Sequence, residues 1–208
     1  MTQLLSIHPI NPQNRLVQRA VDILQQGGVI AMPTDSAYAL ACAGGEARAI
    51  DRIRQLRRLT EKHHLTLMCK DLADLAQWAQ VDNPTYRMLK AHTPGPYTFI
   101  LEATRKTPKR ILQQKRKTVG LRVPDCAISQ ALLQALDGPL VTTSLILPGE
   151  DLPLTDAWSI QDSIGHQLDA IIDGEHCGFD PTSVIDLSED TPVVLRVGKG
   201  PVEAFLNE

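Results

Sequence analysis

Short unbroken apolar runs alternate with amphipathic stretches of helical spacing along most of this chain, and few architectures accept that alternation. The runs at 29–32, 65–69, 97–103, 119–123 and 139–145 read as buried strands. Between them, Ala49, Ile50, Ile53 and Leu56 form the stripe of a helix over 46–58, and Asp71 or Asp74 opens another with Leu72, Leu75, Ala76 and Ala79 inward. A further helix starts at Asn83-Pro84 and stops before Thr93-Pro94-Gly95-Pro96, and one more covers 127–137. Upstream, Asn11 is placed to cap a first helix, with Pro12 at its first position and Gly27-Gly28 ending it. From residue 169 the spacing tightens. The runs at 170–172, 184–187 and 193–195 leave too little chain between them for crossover helices, so partly antiparallel pairing is expected there. The prediction is an α/β fold with one twisted, mixed parallel and antiparallel sheet flanked by helices. With 208 residues, 43% of them hydrophobic, and no Pro/Gly/Ser-rich linker, one domain spanning 1–208 accounts for the chain.

Several chemistries drop out. Cys42, Cys69, Cys126 and Cys177 lie far apart with no CxxC pair, which removes zinc-ribbon and thioredoxin-like sites and predicts reduced thiols. His63 and His64 are adjacent and no HExxH occurs, so no metal site is expected. Walker A and GxGxxG loops are also absent, and any nucleotide site must be built differently. No stretch approaches the roughly 18 apolar residues of a membrane span. The first residues lack the basic and apolar regions of a secretory signal, so a cytoplasmic location without membrane contact is expected.

Charge is distributed unevenly. There are 19 basic and 9 acidic residues up to Arg122, but 2 and 15 from Val123 onward. Arg105, Lys106, Lys109, Arg110, Lys115, Arg116 and Lys117 fall in one stretch without an acid. Two readings stay open: a solvated loop answered by the acidic C-terminal third, or a surface for phosphate, with Lys109, Arg110, Lys115, Arg116 and Lys117 as the RNA- or anion-binding candidates. Aromatic residues make up only 4%, so structured RNA recognised by shape suits the run better than stacked single strands.

Hydroxyl residues recur where strands begin or end: Thr34 and Ser36, Thr142, Thr143 and Ser144, Thr182 and Ser183. With Arg54, Arg122 and Arg196 around one crevice, they would offer neutral donors and fixed positive charge to phosphate oxygens.

The segment Gly27-Gly28-Val29-Ile30-Ala31-Met32-Pro33-Thr34-Asp35-Ser36-Ala37-Tyr38-Ala39-Leu40 resembles the opening motif of the YrdC/YciO family, whose best-known members are threonylcarbamoyl-adenylate synthases. The likeness continues in order through residues 94–101, 119–124, 143–144 with 148–149, 181–186 and 195–198. The segments Ile7-His8-Pro9, Asn11-Pro12-Gln13 and Gln114-Lys115-Arg116-Lys117-Thr118 look most like the YciO branch. The resemblance implies formation of threonylcarbamoyl-AMP and pyrophosphate from ATP, bicarbonate and L-threonine, toward the t6A modification of tRNA. It implies ATP with a substrate-borne Mg2+ and no tightly bound cofactor. It places Thr34, Ser36, Tyr38 and Arg122 at the catalytic amino-acid and carbamate pocket, and Arg54, Thr98, Thr143, Ser144, Ser183 and Arg196 around the nucleotide. The same fold without catalysis, binding a nucleotide or double-stranded RNA, is the alternative. Two departures favour weak catalysis. Arg54-Gln55-Leu56 is read as standing where synthases have K-x-R, and Ser144-Leu145-Ile146 where they have S-A-N.

Overall fold

The first helix starts later than its sequence signals suggest: α1 is Asn14–Gln25, with Gln13 rather than Asn11 at the N-cap. The reason is local. The Gln13 side chain accepts a hydrogen bond from the His8 backbone N–H (3.0 Å) and the Asn11 N–H donates to His8 Nδ1 (3.2 Å), so the residues before the helix fold as their own turn. Gly27, at φ +81°, takes the left-handed conformation that ends the helix.

The computed structural model describes residues 2–60, 63, 65–113, 115–174, 176–189 and 191–206. After β1 (Gln3–Ser6) and α1 come β2 (Ile30–Met32), β3 (Ala39–Ala43), α2 (Ala47–Leu56), β4 (Thr66–Met68), α3 (Leu72–Trp78), α4 (Asn83–His92) and β5 (Tyr97–Glu102). Then follow β6 (Thr118–Arg122), α5 (Ala127–Leu136), β7 (Leu140–Ser144), α6 (Ala157–Ile164), β8 (Ala170–Asp173), β9 (Ser183–Asp186) and β10 (Val193–Arg196). One mixed sheet holds all ten strands in the order β1-β8-β2-β3-β7-β4-β6-β5-β9-β10. The predicted α/β class with a mixed, helix-flanked sheet is what forms. Strands β1 and β3 and helix α6 had no sequence prediction: the first two are short, and β3 is mostly alanine.

The C-terminal strands pair partly antiparallel, as expected, but do not all lie together. Although β8 and β9 are near in sequence, they lie almost the width of the sheet apart. Strand β8 pairs in parallel with β1 and β2, and β9 pairs in parallel with β5. Only β9 with β10 is the antiparallel neighbour pair the spacing suggested.

Each sheet face has its own core. On one, Phe99, Leu67, Leu121, Val141 and Ile171 pack against Ala49, Ile50 and Ile53 of α2, Leu75 of α3, Leu89 of α4 and Ile160 of α6. On the other, Ile30, Met32, Ala41, Met68, Leu140 and Ile172 pack beneath Val17, Val21 and Leu24 of α1 and Ile128 and Leu132 of α5. That second cover is incomplete: no residue of β5, β6 or β9 belongs to it. Among the described residues no helix is long and apolar enough to cross a membrane.

Candidate active site on the open sheet face

Where α1 and α5 leave the sheet uncovered, a cavity of about 280 Å3 opens. Strand periodicity builds its floor. In β5, Tyr97, Phe99 and Leu101 face the packed core, so Thr98 and Ile100 face the cavity. Thr66 of β4 pairs with Gly120 of β6 and with Thr142 of β7, and all three line the floor. A Cβ on Gly120 would lie 3.4 Å from Thr98 Cγ2 and 3.5 Å from Thr66 Oγ1, which is ordinary contact. Glycine there keeps the floor low and meets no backbone requirement.

Three guanidiniums surround this floor: Arg57, Arg122 and Arg196. Arg122 ends β6, is 6% exposed, ion-pairs with Asp35 and donates from Nη1 to Ser36 Oγ at 3.4 Å. The acid that answers Arg122 thus comes from the loop after β2 and not from the acid-rich C-terminal third. Arg196 is aimed by a bulge. Val194 pairs with Ile185 but Arg196, not Leu195, pairs with Val184, so an extra residue breaks the alternation and sets Arg196 on the cavity face. There it donates to the Thr182 backbone carbonyl (2.9 Å) and to Thr182 Oγ1 (3.1 Å). Burial first, and then the neighbouring Arg122 cation, lower the Arg196 guanidinium from its usual pKa. Burial also lowers that of Arg57. Nε of Arg57 and of Arg122 is buried without a hydrogen-bond partner. Among the described residues no carboxylate lines the cavity, and no group of three or more His, Cys, Asp or Glu is arranged to hold a metal ion.

Ser36, Thr98, Arg122, Thr143, Ser144 and Arg196 all line the one cavity, as the sequence reading grouped them. Arg54, Thr34, Tyr38 and Ser183 do not line it. Arg54 donates to the carbonyls of Thr60 (3.2 Å) and Arg110 (3.2 Å), tying the end of α2 to the following loop, while Arg57, just past the helix, reaches the cavity. Thr34 Oγ1 accepts from the Ser36 N–H (3.1 Å) and donates to the Ala37 carbonyl (2.7 Å), closing the turn that presents Ser36. The Tyr38 hydroxyl donates to the Ile172 carbonyl at 3.0 Å, and burial pushes its pKa well above the ordinary phenol value. Ser183 pairs with Tyr97 and so faces the packed core, where its hydroxyl donates to the Gly200 carbonyl (2.5 Å). Its neighbour Thr182 holds the cavity position and shares a 2.9 Å hydrogen bond with Thr98.

Thr66, Arg57 and His63 line the cavity without a sequence expectation, whereas Thr182, one of the crevice hydroxyls, and Ile146, at the S-A-N position, lie where those readings put them. Strand parity would have found Thr66, two residues before the buried Met68, but Thr182 was ambiguous because Val184 and Ile185 are both apolar. His64 and Gln114, named in the sequence reading, lie outside the described residues.

Part of the basic run is already neutralised. Arg110 pairs with Asp51 of α2, and Arg116 with Asp186 (3.0 Å) and Glu189 (3.1 Å). Lys109, Lys115 and Lys117 make no ion pair among the described residues. Lys109 and Lys117 join Arg105 around a separate hollow of about 540 Å3.

Residues 22–198 match the profile of the Sua5/YciO/YrdC family, described as telomere recombination. This chain belongs to the Sua5/YciO/YrdC family. It is 50% identical over 206 residues to YciO of Escherichia coli, covering 99% of this chain and 100% of that one, and the crystal structure of E. coli YciO superposes with a TM-score of 0.96. It is 34% identical over 162 residues to human threonylcarbamoyl-AMP synthase, covering 78% of this chain and 57% of that protein. The Sua5 structure of P. abyssi (H234A/Y235A) matches at TM-score 0.90 and 25% identity, over 98% of this chain and 62% of that one. Within this Sua5/YciO/YrdC fold the open-face cavity is where polar residues from five strands, β4, β5, β6, β7 and β10, and the loops beside the sheet converge.

Proposed function

We propose that the open-face cavity binds an adenine nucleotide and that the chain is a slow nucleotidyltransferase forming threonylcarbamoyl-AMP from ATP, bicarbonate and L-threonine, the activated group for t6A on tRNA. The observation that carries this reading is the convergence of Arg57, Arg122 and Arg196 on a cavity that no described carboxylate lines. Such a cluster suits a ligand bearing both phosphate and carboxylate. The threonine amine and bicarbonate give a carbamate with loss of water. A carbamate oxygen then bonds to the α-phosphorus while the bond to the pyrophosphate oxygen breaks, and pyrophosphate leaves with the electron pair. The protein's task is to position these groups and stabilise charge. Arg57 and Arg196 hold phosphate oxygens, Arg122 with Ser36 holds the carboxylate end, and Thr98, Thr143 and Ser144 supply neutral donors. Mg2+ arrives with ATP as part of the substrate.

The reading sharpens the sequence departures. Arg57 supplies the cation that Arg54 does not, so one departure matters most: Ile146, where the resemblance expects an amide. Loss of one donor to a developing charge slows chemistry by about 10²–10³-fold. The test is to incubate the protein with ATP, bicarbonate, Mg2+ and L-threonine and follow pyrophosphate and the carbamoyl-adenylate. Slow formation that Ile146→Asn accelerates is the expected result. ATP binding without any adenylate in either protein refutes the catalytic part.

A second reading, structured RNA bound along the basic run, rests on Lys109, Lys115 and Lys117, which make no ion pair among the described residues. It expects steeply salt-dependent binding of double-stranded RNA that Lys109→Gln with Lys117→Gln weakens, and salt-independent or unchanged binding removes it.

A further inference from the structure

Three guanidiniums face the cavity, yet one is already answered from outside it. Asp35 does not line the cavity, and its side chain and that of Arg122 are 8% and 7% exposed. One carboxylate oxygen takes Arg122 Nη2, and the other takes the Asp125 N–H at 3.0 Å. The loop that carries Asp35 is held from several sides. Ser129 Oγ donates to the Pro33 carbonyl (3.1 Å), Cys177 Sγ to that of Thr34 (3.6 Å), and Lys199 Nζ to that of Asp35 (2.5 Å). Asp35 is thus a fixed negative charge behind the site. Arg57 and Arg196, by contrast, make no ion pair among the described residues, and two of the three guanidiniums keep a buried, unpartnered Nε.

We infer that Asp35 is a specificity-determining residue: without touching the ligand, it sets the formal charge the arginine cluster presents at two rather than three, and so matches the cavity to a group carrying two negative charges, such as a phosphate monoester. The inference rests on the part of the proposed function that makes this cavity an anion site. A third uncompensated cation a few ångströms away would add attraction for every further negative charge on a ligand, because the effective dielectric near a partly buried site is far below that of water. Asp35 removes that increment. The crowding is visible already, since the Arg122 cation lowers the pKa of Arg196 even with Asp35 in place.

Inorganic anions read this charge without a base, so the probes are phosphate and pyrophosphate, titrated calorimetrically at pH 8 and low ionic strength without metal ions. The wild-type chain is expected to bind pyrophosphate no more than about 3-fold tighter than phosphate, and Asp35→Asn to raise that preference to about 10-fold or more. Asp35→Glu keeps the charge and is expected to keep the wild-type ratio even where both affinities fall. Arg196→Met removes an uncompensated cation and is expected to weaken both anions about 10-fold. The inference is overturned if the wild type binds neither anion or already prefers pyrophosphate by more than about 10-fold, if Asp35→Asn shifts both anions equally, or if Asp35→Glu changes the ratio as Asp35→Asn does. Should Asp35→Asn fail to fold, Asp35→Ser, which also removes the charge, is titrated in its place with the same expected ratio. Binding of phosphate but not of AMP removes the nucleotide reading and leaves the charge inference standing.

Discussion

One face of the sheet is two different materials. At Leu140 and Met68 it is dry and covered by α5 and α1, and two residues along the same strands, at Thr142 and Thr66, it is an open, hydroxyl-lined floor. Backbone pairing is continuous across the boundary, so the difference lies in the helix cover and in the side chains that meet it. Hydroxyls under a helix would each need a buried partner, and leucines on the open floor would face water. The site exists because α1 and α5 stop covering the sheet before its far half, and Arg122 with Asp35 stands at that border.

Breaking the border should cost most. Arg122→Ala leaves Asp35 buried without its cation, and a loss of about 3–5 kcal/mol in folding stability is expected from denaturant titration. A midpoint that does not move shows the pair to be dispensable.

Next, paired truncations within β7 test the two materials directly. Leu140→Ala should cost about 2–5 kcal/mol by opening a cavity under α5. Thr142→Ala should cost less than about 1 kcal/mol, because its hydroxyl, 3.3 Å from the Thr66 carbonyl, borders open space. Equal costs from the two, in the same denaturant titrations, end the distinction.

A third pair separates cavity from scaffold across the end of α2. Arg57→Met should weaken AMP binding about 10-fold with little change in midpoint, since it removes a charge-assisted contact of about 1.5–3 kcal/mol. Arg54→Met should do the reverse, lowering the midpoint and leaving AMP affinity within about 3-fold. Calorimetric titration and a thermal melt on both variants read the four numbers, and a binding loss in Arg54→Met reverses the assignment. Leu56→Arg, which would rebuild the second cation of K-x-R in that alignment, is expected only to destabilise, because Leu56 packs against the core under α2.

A further small effect is expected on the opposite face of the sheet, at the start of α6. Asp156 caps α6 by accepting from the Ser159 N–H (2.8 Å) and Ser159 Oγ (2.7 Å), and these bonds hold its carboxyl below the usual carboxylate range. A depressed folded pKa makes its contribution complete above about pH 4 and lost as pH falls through the folded value. Asp156→Ala should therefore cost about 1 kcal/mol at pH 7 and progressively less in acid. A cost that does not shrink in acid contradicts the cap.

The amino-acid sequence by itself determined most of the elements and the family. Apolar runs, helix stripes and turn residues act over a few neighbours, and the motif around Pro33-Thr34-Asp35-Ser36 is contiguous. It also determined that hydroxyls and arginines would share a site. Tertiary structure alone decided which hydroxyls and which arginines. Thr182 rather than Ser183 faces the cavity because β9 pairs with β5 in one register, and a one-residue change of parity turns a side chain to the other face. Arg196 reaches it through a bulge that its own alternation with Val194 argues against. Arg57 replaces Arg54 because a helix end, not helix spacing, meets the sheet there. Asp35 finds Arg122 only after the chain has folded back on itself. Each of these depends on pairing between residues distant in the chain, and no local pattern in the sequence encodes the register of a strand that has not yet met its neighbour.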